Sequence, residues 1–117
     1  MKITRFLALT VAFAPAIAFA DLSPDAFKQL SAGNKTEKAM IEMYVGGVVK
    51  GYLNANGFLS SVGQKPLFCY DGDIDTGKAH KIATQTISEH LAKAPGDSKK
   101  EIVEVLIMMK LKALHPC

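Results

Sequence analysis

The chain has 117 residues and two cysteines, Cys69 and Cys117, 48 positions apart. Nothing else in the sequence constrains the fold as strongly. An even pair of cysteines in an exported chain reads as a disulfide rather than a metal site or a nucleophile. Closing a loop of that length contributes about 4 kcal/mol in the chain-entropy account of disulfides. The bond would join the middle of the chain to its last residue and make the C-terminal half a closed unit.

Export is read from the first twenty residues. Lys2 and Arg5 are followed by the apolar run 6–14, Pro15 breaks it, and Ala18-Phe19-Ala20 supplies the small residues of a cleavage site. This is the order of a cleavable signal peptide. The run is too short for a bilayer span. No cysteine stands just after the cleavage point, so no lipid anchor is expected there. The expected domain organisation is a signal peptide over residues 1–20 and one mature domain over residues 21–117, located in a bacterial periplasm. Of the 14 lysines and arginines, two lie in the leader, which leaves 12 against 11 acids. A near-neutral mature chain offers no electrostatic case for nucleic acid or anionic lipid. No membrane association is expected once the leader is removed.

Periodicity predicts an all-α domain of about four helices. Ser23-Pro24-Asp25 carries a cap, a first-turn proline and an acid at the positive end of the dipole, and Leu22 and Phe27 are spaced as a hydrophobic staple. This short helix is expected to end at Gly33-Asn34. A second helix is predicted over residues 36–54, with Ile41, Tyr44, Val45, Val48 and Tyr52 on one face. Gly46, Gly47 and Gly51 each cost about 1 kcal/mol in such a helix relative to alanine. Either another helix approaches closely there or the helix is locally weak. Residues 56–66 read as a loop. A third helix is predicted over residues 76–94, with Ala79, Ile82, Ala83, Ile87 and Leu91 inward. Pro95-Gly96 ends it, and Ser98 with Glu101 forms a capping-box pattern that opens the fourth. That last helix carries two apolar stripes: Ile102, Val105, Leu106, Met109 and Ala113, then Val103, Ile107, Leu111 and Leu114. So wide an apolar surface suggests a central helix or one shared with a second subunit.

Candidate chemistry is sparse. Asp71, Asp73 and Asp75 resemble the start of a calcium loop, but the sixth and twelfth positions hold Thr76 and Ile82 instead of glycine and an acid. The alternatives are a polar turn in which Asp75 or Thr76 caps the third helix, and an exposed acidic loop that meets a partner. His80, His90 and His115 lack metal spacing, and His80 with Lys81 is expected to face solvent. No nucleophile elbow, phosphate loop or zinc-protease motif occurs. The expectation is therefore no enzyme activity, no cofactor and no metal. Met40, Met43, Met108 and Met109 read as core filler.

Four of these features together carry a resemblance: the leader, the glycine-bearing run Tyr44-Val45-Gly46-Gly47-Val48-Val49-Lys50-Gly51 on a long helix, Phe68-Cys69 ahead of a capped helix, and the terminal Pro116-Cys117. The chain resembles the Rap/Tai family of type VI secretion immunity proteins over most of its mature length. It departs from that family in lacking further N-terminal cysteines and in holding Asp71 where a proline is common. The resemblance implies a small helical, disulfide-bonded periplasmic domain, often a homodimer, that binds and blocks a secreted peptidoglycan amidase. In that reading the loop with Asp71, Gly72, Asp73 and Asp75 is the candidate partner surface. The alternative is a periplasmic stress chaperone of the HdeA-like kind, or another small periplasmic binding protein.

Overall fold

A computed structural model describes residues 22–93, 96 and 101–117. The expected signal peptide, Ser98 of the expected capping box and Pro95 lie outside the described residues. Four helices are present, and no strand occurs among the described residues: α1 (Pro24–Ser31), α2 (Lys35–Ser61), α3 (Thr76–Lys93) and α4 (Val103–Leu114). One disulfide joins Cys69 to Cys117. The fold class and the cysteine pairing are as the sequence predicts.

The two N-terminal helix starts follow local chemistry closely. Ser23 accepts a hydrogen bond from the Ala26 N–H at 3.1 Å, Pro24 opens α1, and the staple residues Leu22 and Phe27 are both buried. At α2, Asn34 accepts from the Glu37 N–H at 2.9 Å while the Glu37 carboxylate accepts from the Asn34 N–H, a reciprocal cap that satisfies two orphan donors. α3 starts where Asp75 accepts from the Lys78 N–H at 2.8 Å, so Asp75 is the cap. α4 starts later than its sequence signal suggests. Ile102 precedes it without any side-chain cap, and the Val103 N–H instead donates to the Leu22 carbonyl at 2.8 Å. A tertiary contact thus satisfies an orphan N–H at a helix start that has no side-chain cap.

α2 is longer than the periodicity indicates. The helix does not stop at residue 54 but continues through Asn56-Gly57 to Ser61. It ends in a Schellman turn: Gly63, at φ 72°, donates to the Ser60 carbonyl at 3.1 Å, and the Gln64 N–H reaches Leu59 at 2.8 Å. The stop signal was therefore Gly63. Asn56, read as a turn residue, is used inside the helix as a buried side chain.

The core lies where α2 meets the other three helices. Ile41, Val45 and Val49 from α2 face Ala79, Ile82, Ala83 and Ile87 from α3 and Val103, Ile107 and Leu111 from α4, with Phe68 from the connecting segment among them. Gly46 is explained by close approach, since a Cβ there would sit 3.1 Å from the Thr76 Cγ2 at the start of α3. Gly47 and Gly51 are not; a Cβ at either would meet nothing within 4 Å. Of the second α4 stripe Val103, Ile107 and Leu111 are buried but Leu114 is exposed; of the first, Leu106 is buried while Val105 and Met109 are exposed. The core-filler reading of the methionines fails for three of four. Met40, Met43 and Met109 are exposed, and only Met108 packs against the core. The core is already filled by aliphatic and aromatic side chains at the inward positions, so three of the methionines are left outside.

Candidate functional site

The connection between α2 and α3, residues 62–75, is where covalent, polar and apolar anchors converge. Its middle is held at three successive residues, Leu67 to Cys69. The buried Asn56 carboxamide accepts from the Leu67 N–H at 2.7 Å and donates to the Phe68 carbonyl at 2.8 Å. Phe68 is 1% exposed and serves as the apolar anchor. The Cys69 N–H donates to the His115 carbonyl at 2.8 Å, alongside the Cys69–Cys117 bond. Tyr70 then meets His115 edge-on at 4.7 Å between ring centres, and its hydroxyl accepts from the Lys78 ammonium at 3.0 Å. That contact holds the Lys78 ammonium above its ordinary range.

Beyond these anchors the chain turns outward. Gly72 adopts φ 107°, a conformation open to glycine and costly for other residues, and this sets the turn between Asp71 and Asp73. Ile74 then drops into the core. The four residues singled out in the sequence are therefore all exposed, with buried Ile74 between Asp73 and Asp75, but their roles differ. Asp75 caps α3. Asp73 accepts from the Lys50 ammonium at 2.9 Å and from the Ile74 N–H at 3.0 Å, and the Lys50 hydrogen bond, chiefly, pulls its carboxyl below the usual range. Asp71 makes no hydrogen bond or ion pair among the described residues. It borders a hollow of about 450 Å³ between the C-terminal half of α2 and residues 66–72, shared with Asn56, Ser60 and Tyr70. Sequence reasoning missed Asn56 and Lys50. Both lie on α2, far along the chain from the loop they hold, and only α2 continuing past residue 54 brings Asn56 to it.

A second surface lies on the outer side of α2. Met40, Met43, Gly47, Gly51, Asn54 and Phe58 recur at helical spacing and are all exposed, Met43 and Phe58 at 75% and 66%. The glycines leave the centre of this stripe flat and apolar side chains flank it.

The histidines form no shared site. His80 is half-buried beside Phe27, with ring centres 6.3 Å apart, and does not face solvent as expected; α1 folds back across that part of α3. His90 is half-buried at the edge of the core, and the Nε2 atoms of both are buried without a hydrogen-bond partner. Both Glu104 carboxylate oxygens are buried without a partner too, in the first turn of α4, where the helix dipole favours negative charge. No group of three or more metal-ligating side chains occurs among the described residues. No described helix is long and apolar enough to cross a membrane.

The fold and its anchors define a class: a four-helix domain closed by one disulfide that presents a pinned acidic turn. Comparison with protein-family models, curated proteins and solved structures finds no match.

Proposed function

We propose that the protein is a periplasmic immunity protein that occludes a peptidoglycan-cleaving amidase delivered by type VI secretion, without chemistry of its own. The observation that carries this reading is the turn over residues 71–73. It is exposed and acidic, yet fixed on one side by the Cys69–Cys117 bond and Asn56 and on the other by Ile74 and the α3 cap. A contact loop ordered in advance loses little entropy on binding. Asp71 is the leading contact residue because its carboxylate is free for a basic rim, whereas Asp73 is already engaged by Lys50.

The test is inhibition of any cell-wall hydrolase found encoded beside this gene, measured with Asp71→Asn and Asp73→Asn and accompanied by thermal melts. The expected result is lost inhibition for Asp71→Asn with an unchanged melt. Unchanged inhibition in both variants removes this turn from the interface. Failure of the unmodified protein to inhibit any neighbouring hydrolase removes the immunity reading itself.

The same reading includes a homodimer. The outer stripe of α2 supports it: the flat centre at Gly47 and Gly51 admits a second helix closely, and an antiparallel copy would set Met43 against Phe58 across a two-fold axis, a sulfur–aromatic contact. Light scattering at micromolar concentration gives about twice the monomer mass if so, and Gly47→Lys returns it to one.

A further inference from the structure

The disulfide is a ridge with a different hollow on each side. On the Cys69 side lies the hollow that Asp71 borders. On the Cys117 side lies an apolar groove of about 500 Å³ lined by Leu67, Met108, Pro116 and Cys117, with Lys65 and Lys112 beside them. Leu67 is 40% exposed there although its backbone is held by Asn56. Met108 rises from α4 between the fully buried Ile107 and Leu111. Pro116 has a restricted backbone and Cys117 is covalently tied. The walls are thus set before anything binds.

The two lysines distinguish this groove from an ordinary apolar hollow. Lys50 and Lys110 each lie within ion-pair distance of an acid, and Lys78 is bound to Tyr70. Lys65 and Lys112 have no ion pair among the described residues. Both lysines stand at exposed positions on the rim, so a purely apolar occupant would leave their charge unused. A purely anionic one would leave the apolar floor in water. An occupant that combines an apolar side chain with neighbouring carboxylates uses both.

We propose that this groove docks an acidic peptide segment of a partner protein, with one aliphatic or aromatic side chain on the Leu67–Met108 floor and carboxylates at Lys65 and Lys112. The assignment deepens the immunity reading and rests on it only for the identity of the partner. With the acidic turn on one side of the ridge and the basic groove on the other, a partner carrying the opposite pair of charges can dock in one orientation only.

The experiment separates the two ideas. The ¹⁵N-labelled mature chain is titrated with a blocked pentapeptide of alternating glutamate and leucine, with lysine–leucine and glutamate–serine pentapeptides as comparisons. The expected result is saturable shifts confined to Leu67, Met108, Lys112 and Cys117 with the first peptide only. The double variant Lys65→Glu with Lys112→Glu, both at exposed positions, weakens that binding at least tenfold and takes up the lysine–leucine peptide instead; its urea midpoint is measured alongside. No saturable shift at these residues, or equal shifts from all three peptides, overturns the proposal. Shifts at the same residues on concentrating the protein alone assign the groove to a second copy and overturn it equally. None of these readouts involves a hydrolase, so a failed inhibition assay bears on the immunity reading and leaves the groove decided by the peptides.

Discussion

Asn56 is the residue whose loss tests the architecture most directly. It is buried, and its carboxamide serves one donor and one acceptor on consecutive residues of the 62–75 segment. Asn56→Ala removes both bonds and leaves the Leu67 N–H and the Phe68 carbonyl without their partner. An unsatisfied buried polar group costs about 1–3 kcal/mol, and Leu67 N–H, being part-buried, recovers some of its loss from water, so the expected destabilisation is about 2–4 kcal/mol. In a domain of this size that is a fall in Tm of about 10–20 °C. Asn56→Asp sharpens the test. It keeps the acceptor for Leu67 N–H but turns an electron-rich oxygen toward the Phe68 carbonyl. Protonation of that buried acid restores a donor, so its pKa is raised on folding. The sign follows: the restored stability is fully present below the unfolded carboxyl value and is lost as pH rises through the folded one. The melts of Asn56→Asp should therefore approach those of the parent on acidification from pH 7 to pH 4, while Asn56→Ala stays low throughout. A loss below about 1 kcal/mol for Asn56→Ala, or parallel pH curves for the two variants, would refute the anchoring role.

Other expectations follow from single contacts. Cys69→Ser should lower stability by up to about 4 kcal/mol in urea melts, and alkylation with and without reductant should show one protected pair in the parent protein. Gly47→Ala and Gly51→Ala should each raise the stability of the monomer by about 1 kcal/mol because the added methyl meets open space, whereas Gly46→Ala should gain less because it presses on Thr76. Tyr52→Phe removes the hydroxyl that donates to the Glu104 carbonyl at 2.7 Å, and urea melts should show a loss of about 1 kcal/mol. Burial raises the Tyr52 hydroxyl above its ordinary 10.0 and Tyr70 raises Lys78 above 10.5, so both contributions are present at neutral pH and are lost as pH rises past those values. Asp73 and Glu89 are lowered, chiefly by hydrogen bonds from Lys50 and Lys110, so theirs are present above the ordinary carboxylate range and lost as pH falls; Tm against pH should show both limbs, with the alkaline one shallower in Tyr52→Phe.

What could be read in advance was what short-range chemistry decides. Ser23-Pro24 satisfies an orphan helix donor within four residues, and a helix start of that kind needs no knowledge of the rest of the chain. Asn34 with Glu37 is as local, although the expectation from sequence places Asn34 at the end of the first helix. The inward face of α3 followed from periodicity because that helix has one wet side. Misreadings arose where a distant group outbid a local signal. Asn56-Gly57 has the composition of a turn, yet the helix passes through it because the Asn56 side chain finds its partners eleven and twelve residues ahead. α4 starts at Val103 without a side-chain cap, where the Val103 N–H meets the Leu22 carbonyl from the other end of the domain. The methionines were misplaced for a different reason: apolarity marks what can be buried, and burial depends on how much inward surface other side chains have already filled.

The acidic turn shows how these levels combine. Phe68 and Ile74 are core residues that enter from the same connection, six positions apart, and between them the chain must leave the core and return. Gly72 allows the reversal, Asn56 and the disulfide fix the outgoing limb, and Lys50 with the Asp75 cap fixes the returning one. Of the acids raised by this arrangement, two are consumed in holding it. Asp71, at the crest, is the one that makes no hydrogen bond or ion pair among the described residues. Under the occlusion reading that is why its replacement should separate inhibition from stability, while a change at Asp75 would disturb both, because the α3 cap would be lost with it.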